Sequence, residues 1–536
     1  MDSGRGALEV GAPLGANQPP SVYRRRTTLR VWCGVIFCTV VASCGPSPEV
    51  RTPGDGVVTI GVPESGVNVA DLGIGSLVIT ATLEGLTELI SSPDGRAMPR
   101  LASEWRWERE GRALRVVLRE GVVFHDGTAL TADVAANALR VAVKRPDNLA
   151  LYPSLSDVTD IRAEGRSDVV FELSRPSAFL PEELDFPLSL GDGSIGTGPF
   201  RLLQRDETGA VLERFDRYYQ GAPEIERVDI RPFDTLRPAW TSLLRGDVDV
   251  VTNVPPEAVE FIQNDAVQVI PFARRYQFLI AFNVNKEPFT NPAVRRALNV
   301  AINREELIAN VLQGQGQPAT GPLWPQHWAY DSSIQPYAYD PEFASSLLDN
   351  TGFPAGRMAA TEESAPARLR FTCLLPANFS LLERIALDVQ KQLFDIGVDV
   401  QFDVVDATDY NARIREGRFE AVFVDLISGP TFGRPYIFWR SAKGFKGLNV
   451  FGYENAESER LFQILRTSMN EAAVRSATRR LQRVLLDDPP ALFLAWNSRA
   501  RAVSRDFRVP SRPGRDPLLS IHEWTEDVGS RGASAQ

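Results

Sequence analysis

The 536-residue sequence contains only three histidines and four cysteines, and this scarcity excludes several kinds of site. His125, His327 and His522 lie far apart, without partners at metal-ligand spacing, which argues against a dedicated zinc site. His125 falls in a turn and is expected at the surface. No GxSxG, HExxH or Walker-type phosphate loop is present. We therefore expect no catalytic residues, no metal and no cofactor.

Long apolar stretches are also missing near the N-terminus. Residues 31–41 are mostly apolar but too few to cross a bilayer, which takes about 20 residues. They follow a basic region at residues 24–30, the order found in a signal peptide. The stretch ends in Val-Ala-Ser-Cys, which resembles a lipobox with Cys44 as the lipidated residue. The alternative is a buried apolar helix with a chance cysteine.

The basic region also resembles a twin-arginine motif, so export by the Sec or the twin-arginine route stays open. Residues 1–21 are rich in Gly and Pro, which is unusual ahead of a leader. One interpretation is an over-long start, with translation beginning nearer Val22. Removal of the leader takes Cys33 and Cys38 with it, leaving Cys44 and Cys373, so we expect no internal disulfide.

Composition is that of an ordinary globular protein, with 43% hydrophobic and 24% charged residues. The length is too great for one core and indicates two or three domains. The formal charge is -10, and residues 1–43 contribute five arginines against Asp2 and Glu9, so the remainder is more acidic still. This balance argues against nucleic acid or anionic lipid as a partner.

Residues 101–140 form the most informative segment. Leu114, Val116 and Leu118 occupy every second position, the period of a half-buried strand. An aromatic strand and a turn precede this strand. Thr131 is placed to cap a helix, for which the sequence predicts Val134, Ala138 and Val141 on one face. The segment is thus expected to form a β-hairpin followed by an amphipathic helix.

The stretches LEGL, LASEW and LRVVLREGVVFHDGTALTADV in and before this segment closely resemble the signature of the family 5 extracellular solute-binding proteins. Those are peptide, nickel and oligosaccharide receptors of ABC importers. The resemblance implies an α/β, bilobal periplasmic-binding-protein fold, type II-like of cluster C, with an extra β-rich insert domain. In the family these residues are scaffold, so they identify the fold and not the ligand.

Later segments extend the resemblance over most of the chain. GDGSIG at residues 191–196 matches a dinucleotide motif by letters, but Thr-Gly-Pro follows and no helix can begin there, so it is a loop. GTGPF resembles the segment by which the family's chain returns to the first domain. PFTNPAVRRALNVAINREE resembles a pair of family helices, and Asn291 and Asn303 are predicted to cap these two helices. A βαβ-like unit is predicted from strands 369–375 and 398–405, and an apolar run at 491–496 near the end.

The resemblance implies a division of the chain into segments, with crossing strands near Gly196 and Phe282. Lobe I is expected to be built from three separate stretches of sequence. The expected segments are a signal peptide (1–43), a lipid-anchored linker (44–56), the first stretch of lobe I (57–81), an inserted β-rich domain (82–195), the second stretch of lobe I (196–283), lobe II (284–488), the third stretch of lobe I (489–527) and a disordered tail (528–536).

Candidate ligand-binding residues also come from the resemblance. Peptide receptors of the family carry an Asp ahead of an acidic-Pro pair, which binds the peptide's α-ammonium. Asp425 is the available carboxylate here, offset by one residue, and Gly429 replaces the acid before Pro430. The alternative is a strand-end residue satisfied by backbone donors. As an anchor, Asp425→Asn should cost roughly 2–5 kcal/mol for a ligand with a free amino group.

Aromatic residues follow Asp425 and could stack on a ligand or fill the lobe's core. The remaining candidates lie before residue 70, where the family shows a Leu-Asp-Pro turn, and at the end of the last apolar run. The full set besides Asp425 is Glu64, Asn68, Phe432, Tyr436, Trp439 and Trp496.

The function that the resemblance implies is a substrate-binding lipoprotein of an ABC importer. It would be a monomer, exported and lipid-anchored to the outer face of the cytoplasmic membrane or in the periplasm, working with permease and ATPase subunits on a peptide or other small solute. The alternatives are an exported hydrolase of peptides or glycans, and a sensor or chaperone with the same fold. Neighbouring permease genes would favour import, and ligand turnover would favour the hydrolase.

The lipobox predicts that Cys44→Ala blocks cleavage at that site and prevents lipid attachment. Metabolic labelling with a radioactive fatty acid measures the attachment directly. Equal label in the wild-type protein and in the variant would contradict the prediction.

Overall fold

The computed structural model describes residues 55–63, 73–89, 94–335, 337–359, 366–441 and 448–527. Three residues singled out above, Cys44, Glu64 and Asn68, lie outside these ranges. Within them, no helix combines the length and apolar character that a bilayer crossing requires.

The strands and helices alternate along much of the chain. The strands are β1 (Val57–Pro63), β2 (Thr87–Glu88), β3 (Met98–Pro99), β4 (Ala102–Glu108), β5 (Ala113–Leu118), β6 (Val158–Glu164), β7 (Asp168–Leu173), β8 (Phe200–Asp206), β9 (Gly209–Arg214), β10 (Arg227–Phe233), β11 (Val250–Val254), β12 (Val267–Phe282), β13 (Gly316–Pro318), β14 (Leu369–Pro376), β15 (Val398–Val405), β16 (Ala421–Ile427), β17 (Ala491–Ser504), β18 (Phe507–Arg508) and β19 (Thr525–Glu526). The α-helices are α1 (Ile74–Thr82), α2 (Ala132–Ala142), α3 (Pro146–Leu151), α4 (Leu180–Glu183), α5 (Leu236–Arg245), α6 (Val259–Ile262), α7 (Pro292–Val300), α8 (Arg304–Asn310), α9 (Pro341–Asn350), α10 (Ser380–Asp395), α11 (Ala407–Glu416), α12 (Gly433–Trp439), α13 (Ala456–Thr467) and α14 (Glu471–Asp487).

One mixed sheet runs through both lobes in the order β15-β14-β16-β12-β17-β11-β1-β10-β9-β8, with β13 added beside β17. By the segment bounds expected from the sequence, β1 and β8 to β11 fall in lobe I and β13 to β16 in lobe II. The long strands β12 and β17 pair antiparallel from Val267 opposite Ser504 to Ala281 opposite Ala491. They therefore belong to both lobes and connect them.

The pairing is interrupted by a register shift between Ala273 and Gln277. Phe282, near which the sequence places a crossing, is the last residue of β12. Gly196, near which the sequence places the other crossing, lies where the chain returns from the inserted sheet to lobe I. A Cβ on Gly196 would lie 2.1 Å from the carbonyl oxygen of Thr82, so glycine lets the outgoing and returning segments pass side by side.

The inserted domain is an antiparallel sheet, β4-β5-β7-β6, covered by α2. Leu114, Val116 and Leu118 are buried as predicted. The hydroxyl oxygen of Thr131 accepts a hydrogen bond from the Val134 amide, which confirms the predicted cap.

The predicted apolar face of α2 is wrong at Val141 and only partly inward at Val134 and Ala138. The buried residues are Ala132, Ala135, Ala136 and Leu139, whereas Val134 and Ala138 are only half-buried and Val141 is 65% exposed. Alanines at this spacing let the helix approach the sheet closely, so the inward face follows the small residues and not the β-branched ones.

The later elements confirm most of the sequence pattern. Asn291 and Asn303 cap α7 and α8 through their side-chain oxygens, and the inward residues of α10 are the predicted ones: Leu382, Ile385, Ala386, Val389 and Leu393. The final apolar run continues, however, as a strand to Ser504. Arg501 is buried in the later part of this strand, where it donates hydrogen bonds to both carboxylate oxygens of Asp516. This pairing compensates the buried charge, and an apolar sequence pattern does not reveal it.

The two faces of α2 provide a matched test of the observed packing. Leu139→Ala should lower the free energy of unfolding by about 2–5 kcal/mol, because Leu139 is 1% exposed and its removal leaves a cavity. Val141→Ala should change it by less than about 0.5 kcal/mol. Urea denaturation of both variants measures these effects, and a larger loss for the Val141 variant would restore the face predicted from sequence.

Candidate functional site

A small cavity of about 30 Å³, room for a water molecule or two, lies between the inserted domain and lobe II. Three distant regions of the chain line it. The inserted domain supplies Leu89, Leu151, Tyr152, Glu182, Glu183 and Asp185, strand β12 supplies Arg275, and the segment after β16 supplies Ile427, Gly429, Pro430, Thr431, Gly433 and Arg434. The cavity therefore exists only where these regions meet.

The inserted domain brings three carboxylates to this cavity from the sequence Leu-Pro-Glu-Glu-Leu-Asp-Phe. Leu180, Leu184 and Phe186 pack in the core of the inserted domain, which fixes the intervening acidic residues at its boundary. Glu183 is only 4% exposed, and its Oε2 accepts a hydrogen bond of 2.7 Å from the Ser154 amide. Its packing is thus set by the apolar residues around it.

Several side-chain polar atoms of ionisable residues at this boundary are buried without a hydrogen-bond partner among the described residues. They are Glu182 Oε2, Glu183 Oε1, Asp185 Oδ1 and Arg275 Nη2. A buried polar atom without a partner costs roughly 1–3 kcal/mol, and more when it is charged. Four such atoms therefore meet at one cavity.

Burial changes the protonation of these groups. It raises the pKa of Glu183 to about 8, against the opposing effects of the Ser154 hydrogen bonds, Arg466 and Arg434. Burial raises the pKa of Glu182 well above its ordinary value, and the neighbouring Glu183 and Asp185 raise it further while Arg96 opposes them. The pKa of Asp185 is also raised by burial, against Arg275 and Arg434.

Two arginines face the carboxylates from the other side. Arg275 Nη1 lies 3.9 Å from Asp185 Oδ2, and burial lowers the pKa of its guanidinium. Arg434 donates a hydrogen bond of 2.7 Å to the Leu151 carbonyl oxygen and stacks over the Tyr152 ring. Burial raises the pKa of Tyr152 to about 12, so its hydroxyl stays neutral.

Glycine at position 433 permits the close approach of lobe II to Glu183. A Cβ at this position would lie 3.1 Å from Glu183 Oε1. Any side chain at position 433 would therefore crowd the unpartnered oxygen.

The inserted domain and lobe II are also joined beside the cavity by a buried charge contact. Arg466 on α13 forms an ion pair with Asp157 and donates a hydrogen bond of 2.9 Å to the Pro153 carbonyl oxygen. Both charged side chains are almost fully buried. We call Arg466, Asp157 and Pro153 the closure contact, since it can form only when the inserted domain and lobe II meet.

Asp425 lies outside the cavity lining. One of its carboxylate oxygens accepts a hydrogen bond of 2.8 Å from Arg274 Nη1, and Asn497 Nδ2 lies 3.3 Å from both oxygens. Arg274 and Arg275 are adjacent on β12, so their side chains point to opposite faces, toward Asp425 and toward the cavity. Asp425 is thus satisfied by side-chain donors, where the sequence alternative named backbone donors.

The predicted aromatic residues Phe432, Tyr436, Trp439 and Trp496 are buried in the core of lobe II. The ring centroids of Phe432 and His327 lie 4.1 Å apart, and Trp439 stacks on Phe451. The Tyr436 hydroxyl accepts a hydrogen bond from Arg466. This placement corresponds to the alternative that they fill the lobe's core.

The histidines are structural in character. His125 is half-buried, not exposed as predicted, with Nε2 lying 3.1 Å from the Gly198 carbonyl oxygen. Burial lowers the pKa of His327 to about 3 and that of His522 to about 4. Among the residues that the structure describes, no group of His, Cys, Asp and Glu is arranged to hold a metal ion.

Sequence reasoning missed Glu182, Glu183, Asp185 and Arg275. The available signal was the placement of three acidic residues within an otherwise apolar segment, which predicts buried charge. Nothing in the sequence could indicate that β12 and lobe II face the same segment.

Comparison with known proteins gives a consistent picture. The model of the bacterial extracellular solute-binding proteins, family 5 Middle, matches residues 96–446. The oligopeptide-binding protein AppA of Bacillus subtilis is 25% identical over 443 residues, which are 77% of this chain and 81% of that protein. The glutathione-binding protein GsiB of Salmonella typhimurium is 30% identical over 339 residues, 59% of this chain and 63% of that protein.

The fold has solved counterparts as well. The structure of NikZ from Campylobacter jejuni in complex with Ni(L-His) superposes with a TM-score of 0.73 at 20% identity, covering 88% of this chain and 99% of that one. This likeness supports the bilobal α/β fold described above.

The buried Glu183 carboxyl predicts a pH-dependent stability. A pKa raised from 4.5 in the unfolded chain to about 8 stabilises the folded protein below pH 4.5, and this contribution is lost as pH rises through about 8. Glu183→Gln should flatten this fall in the free energy of unfolding, measured by urea denaturation from about pH 5 to about pH 8. Glu120→Gln, an exposed change in the same domain, is the control. Parallel curves for wild type and Glu183→Gln would contradict the prediction.

Proposed function

We propose that this chain, which belongs to the bacterial extracellular solute-binding proteins of family 5, captures a peptide or similar small solute between its lobes and delivers it to a membrane permease. The observation that carries the proposal is the family match, together with the meeting of the inserted domain, β12 and lobe II around buried polar atoms that lack partners among the described residues. The residues around these atoms come from separate regions of the chain, as ligand capture by closure requires.

Closure gives the physical basis of the function. A ligand in the cavity touches the inserted domain, β12 and lobe II together, and only the closed form provides all these contacts at once. The ligand therefore shifts the population toward the closed form by its differential affinity for the two forms. The closure contact can be made in that same form.

The proposal includes the cellular setting. An ABC permease with its ATPases would read the closed form, and the protein would be exported and held at the membrane by lipid on Cys44, as a monomer. The basic, apolar and lipobox-like order of residues 24–44 supports the anchor. The segment boundaries given from the sequence belong to the same proposal, except that β12 and β17 continue into lobe II.

The nature of the matched relatives supports binding over catalysis. AppA and GsiB are named for binding an oligopeptide and glutathione, respectively. A peptide or a peptide-like solute is therefore the first ligand class to test for this chain.

A thermal-shift screen tests the proposed function. Ligand bound only by the folded closed form stabilises it by RT ln(1 + [L]/Kd), about 2.7 kcal/mol at a hundredfold excess over Kd. Short peptides, opines, oligosaccharides and metal chelates should be compared, and we expect one class to raise the unfolding temperature clearly. Folded protein that no class stabilises would favour a sensor or scaffold, and turnover of a probe would favour a hydrolase.

A further inference from the structure

We propose that Phe179 and the closure contact form a latch that holds the inserted domain against lobe II before any solute binds. The latch consists of protein groups alone, so it sets the proportion of closed molecules independently of the solute. The inference goes beyond the proposed function, in which a bound solute is the cause of closure.

Phe179 belongs to the inserted domain by sequence and to the core of lobe II by packing. Its side chain is 2% exposed and lies among the buried residues of lobe II. Its ring centroid lies 6.5 Å from that of Phe432 and 5.7 Å from that of Tyr436, with the second pair edge to face. The next residue, Leu180, packs instead in the core of the inserted domain. Two adjacent apolar residues therefore enter the cores of two different regions.

The polar contacts of the latch surround the same aromatic residues. The Ala178 amide donates a hydrogen bond to the Arg466 carbonyl oxygen. The Arg466 side chain pairs with Asp157 and also donates a hydrogen bond to the Tyr436 hydroxyl. Because Tyr436 contacts both Phe179 and Arg466, the apolar and the ionic parts of the latch share one residue. Loss of either part should therefore loosen the other.

Opening the latch exposes apolar surface and separates a buried ion pair in the same motion. The burial of a phenylalanine side chain is enough to change an equilibrium constant roughly ten- to a hundredfold. Arg466 and Asp157 are almost fully buried, so each charge would lose its partner before it regained water. Both effects disfavour the open form.

A second charged contact across the same interface is exposed and serves as the comparison. Arg96 Nη1 lies 2.7 Å from Glu471 Oε1, and the two side chains are 44% and 58% exposed. The Arg96 guanidinium also lies 4.3 Å from the centroid of the Trp328 ring. An exposed ion pair contributes little, because water and salt screen it. We therefore assign the latch to Phe179 and the closure contact, and not to Arg96.

The small cavity at this interface shows what the latch restricts. Its volume of about 30 Å³ admits a water molecule or two. A larger solute can enter here only after the inserted domain and lobe II have parted. The latch therefore restricts entry to this interface as well as holding the two regions together.

Hydrogen–deuterium exchange measures the opening directly, because the Ala178 amide is bonded across the interface. The full chain is freed of solute by unfolding and refolding, and small-angle X-ray scattering of the same samples measures the radius of gyration. We expect slow exchange in the wild-type peptide that contains Ala178. In Phe179→Ala, exchange of this peptide should become at least about tenfold faster and the radius of gyration should rise.

Three further variants localise the effect. Asp157→Asn should accelerate exchange of the same peptide, since it removes the charge that compensates Arg466. Phe179→Leu should lie nearer the wild type than Phe179→Ala does, because leucine restores much of the apolar volume. Arg96→Gln is the matched control at the exposed contact and should change the rate by less than about threefold. Peptides from β5 report on the folding of the inserted domain and should be unchanged throughout.

Each outcome decides the proposal. Unchanged exchange in folded Phe179→Ala, equal acceleration in Arg96→Gln, or wild-type exchange as fast as in an unstructured peptide overturns the latch. Faster exchange with no rise in the radius of gyration reduces the contact to local fraying and overturns it too. If Phe179→Ala also accelerates the β5 peptides, Asp157→Asn decides, and acceleration of β5 in both variants overturns the latch. The thermal-shift screen decides the proposed function separately.

Discussion

The antiparallel pairing of β12 with β17 is the constraint on which the rest of the molecule depends. These strands place residues from positions 267–282 and 491–504 side by side in both lobes, so neither lobe's sheet is complete without them. The pairing breaks between Ala273 and Gln277, and the two arginines in that break face opposite sides of the sheet. Arg274 secures lobe II through Asp425, and Arg275 reaches the cavity. The same register shift thus places one arginine against Asp425 and the next one at the cavity.

Where the inserted domain meets lobe II, the structure buries charge in two different ways. The closure contact pairs Arg466 with Asp157 and adds the Pro153 carbonyl oxygen, so the buried charges satisfy each other. The adjacent cavity leaves carboxyl oxygens of Glu182, Glu183 and Asp185 without hydrogen-bond partners among the described residues. The charges of the first arrangement are thus compensated within the protein, and the polar atoms of the second are not.

The elements were predictable where apolar spacing alone determines them, and the site was not. The inward face of α10 and the caps at Asn291 and Asn303 depend on local sequence, and both agree with the structure. The face of α2 was mispredicted because alanine packs closely yet carries little apolar weight. The cavity carboxylates acquire their character from β12 and lobe II, which are distant in sequence, and no local pattern encodes such a meeting.

The closure contact also has a kinetic consequence. Separating the inserted domain from lobe II would break the Arg466–Asp157 pair, and each buried charge would lose its partner until it regained water. Any motion that parts these two regions must therefore pass through a state with an uncompensated buried charge, which makes the contact a barrier to opening as well as a link in the closed arrangement.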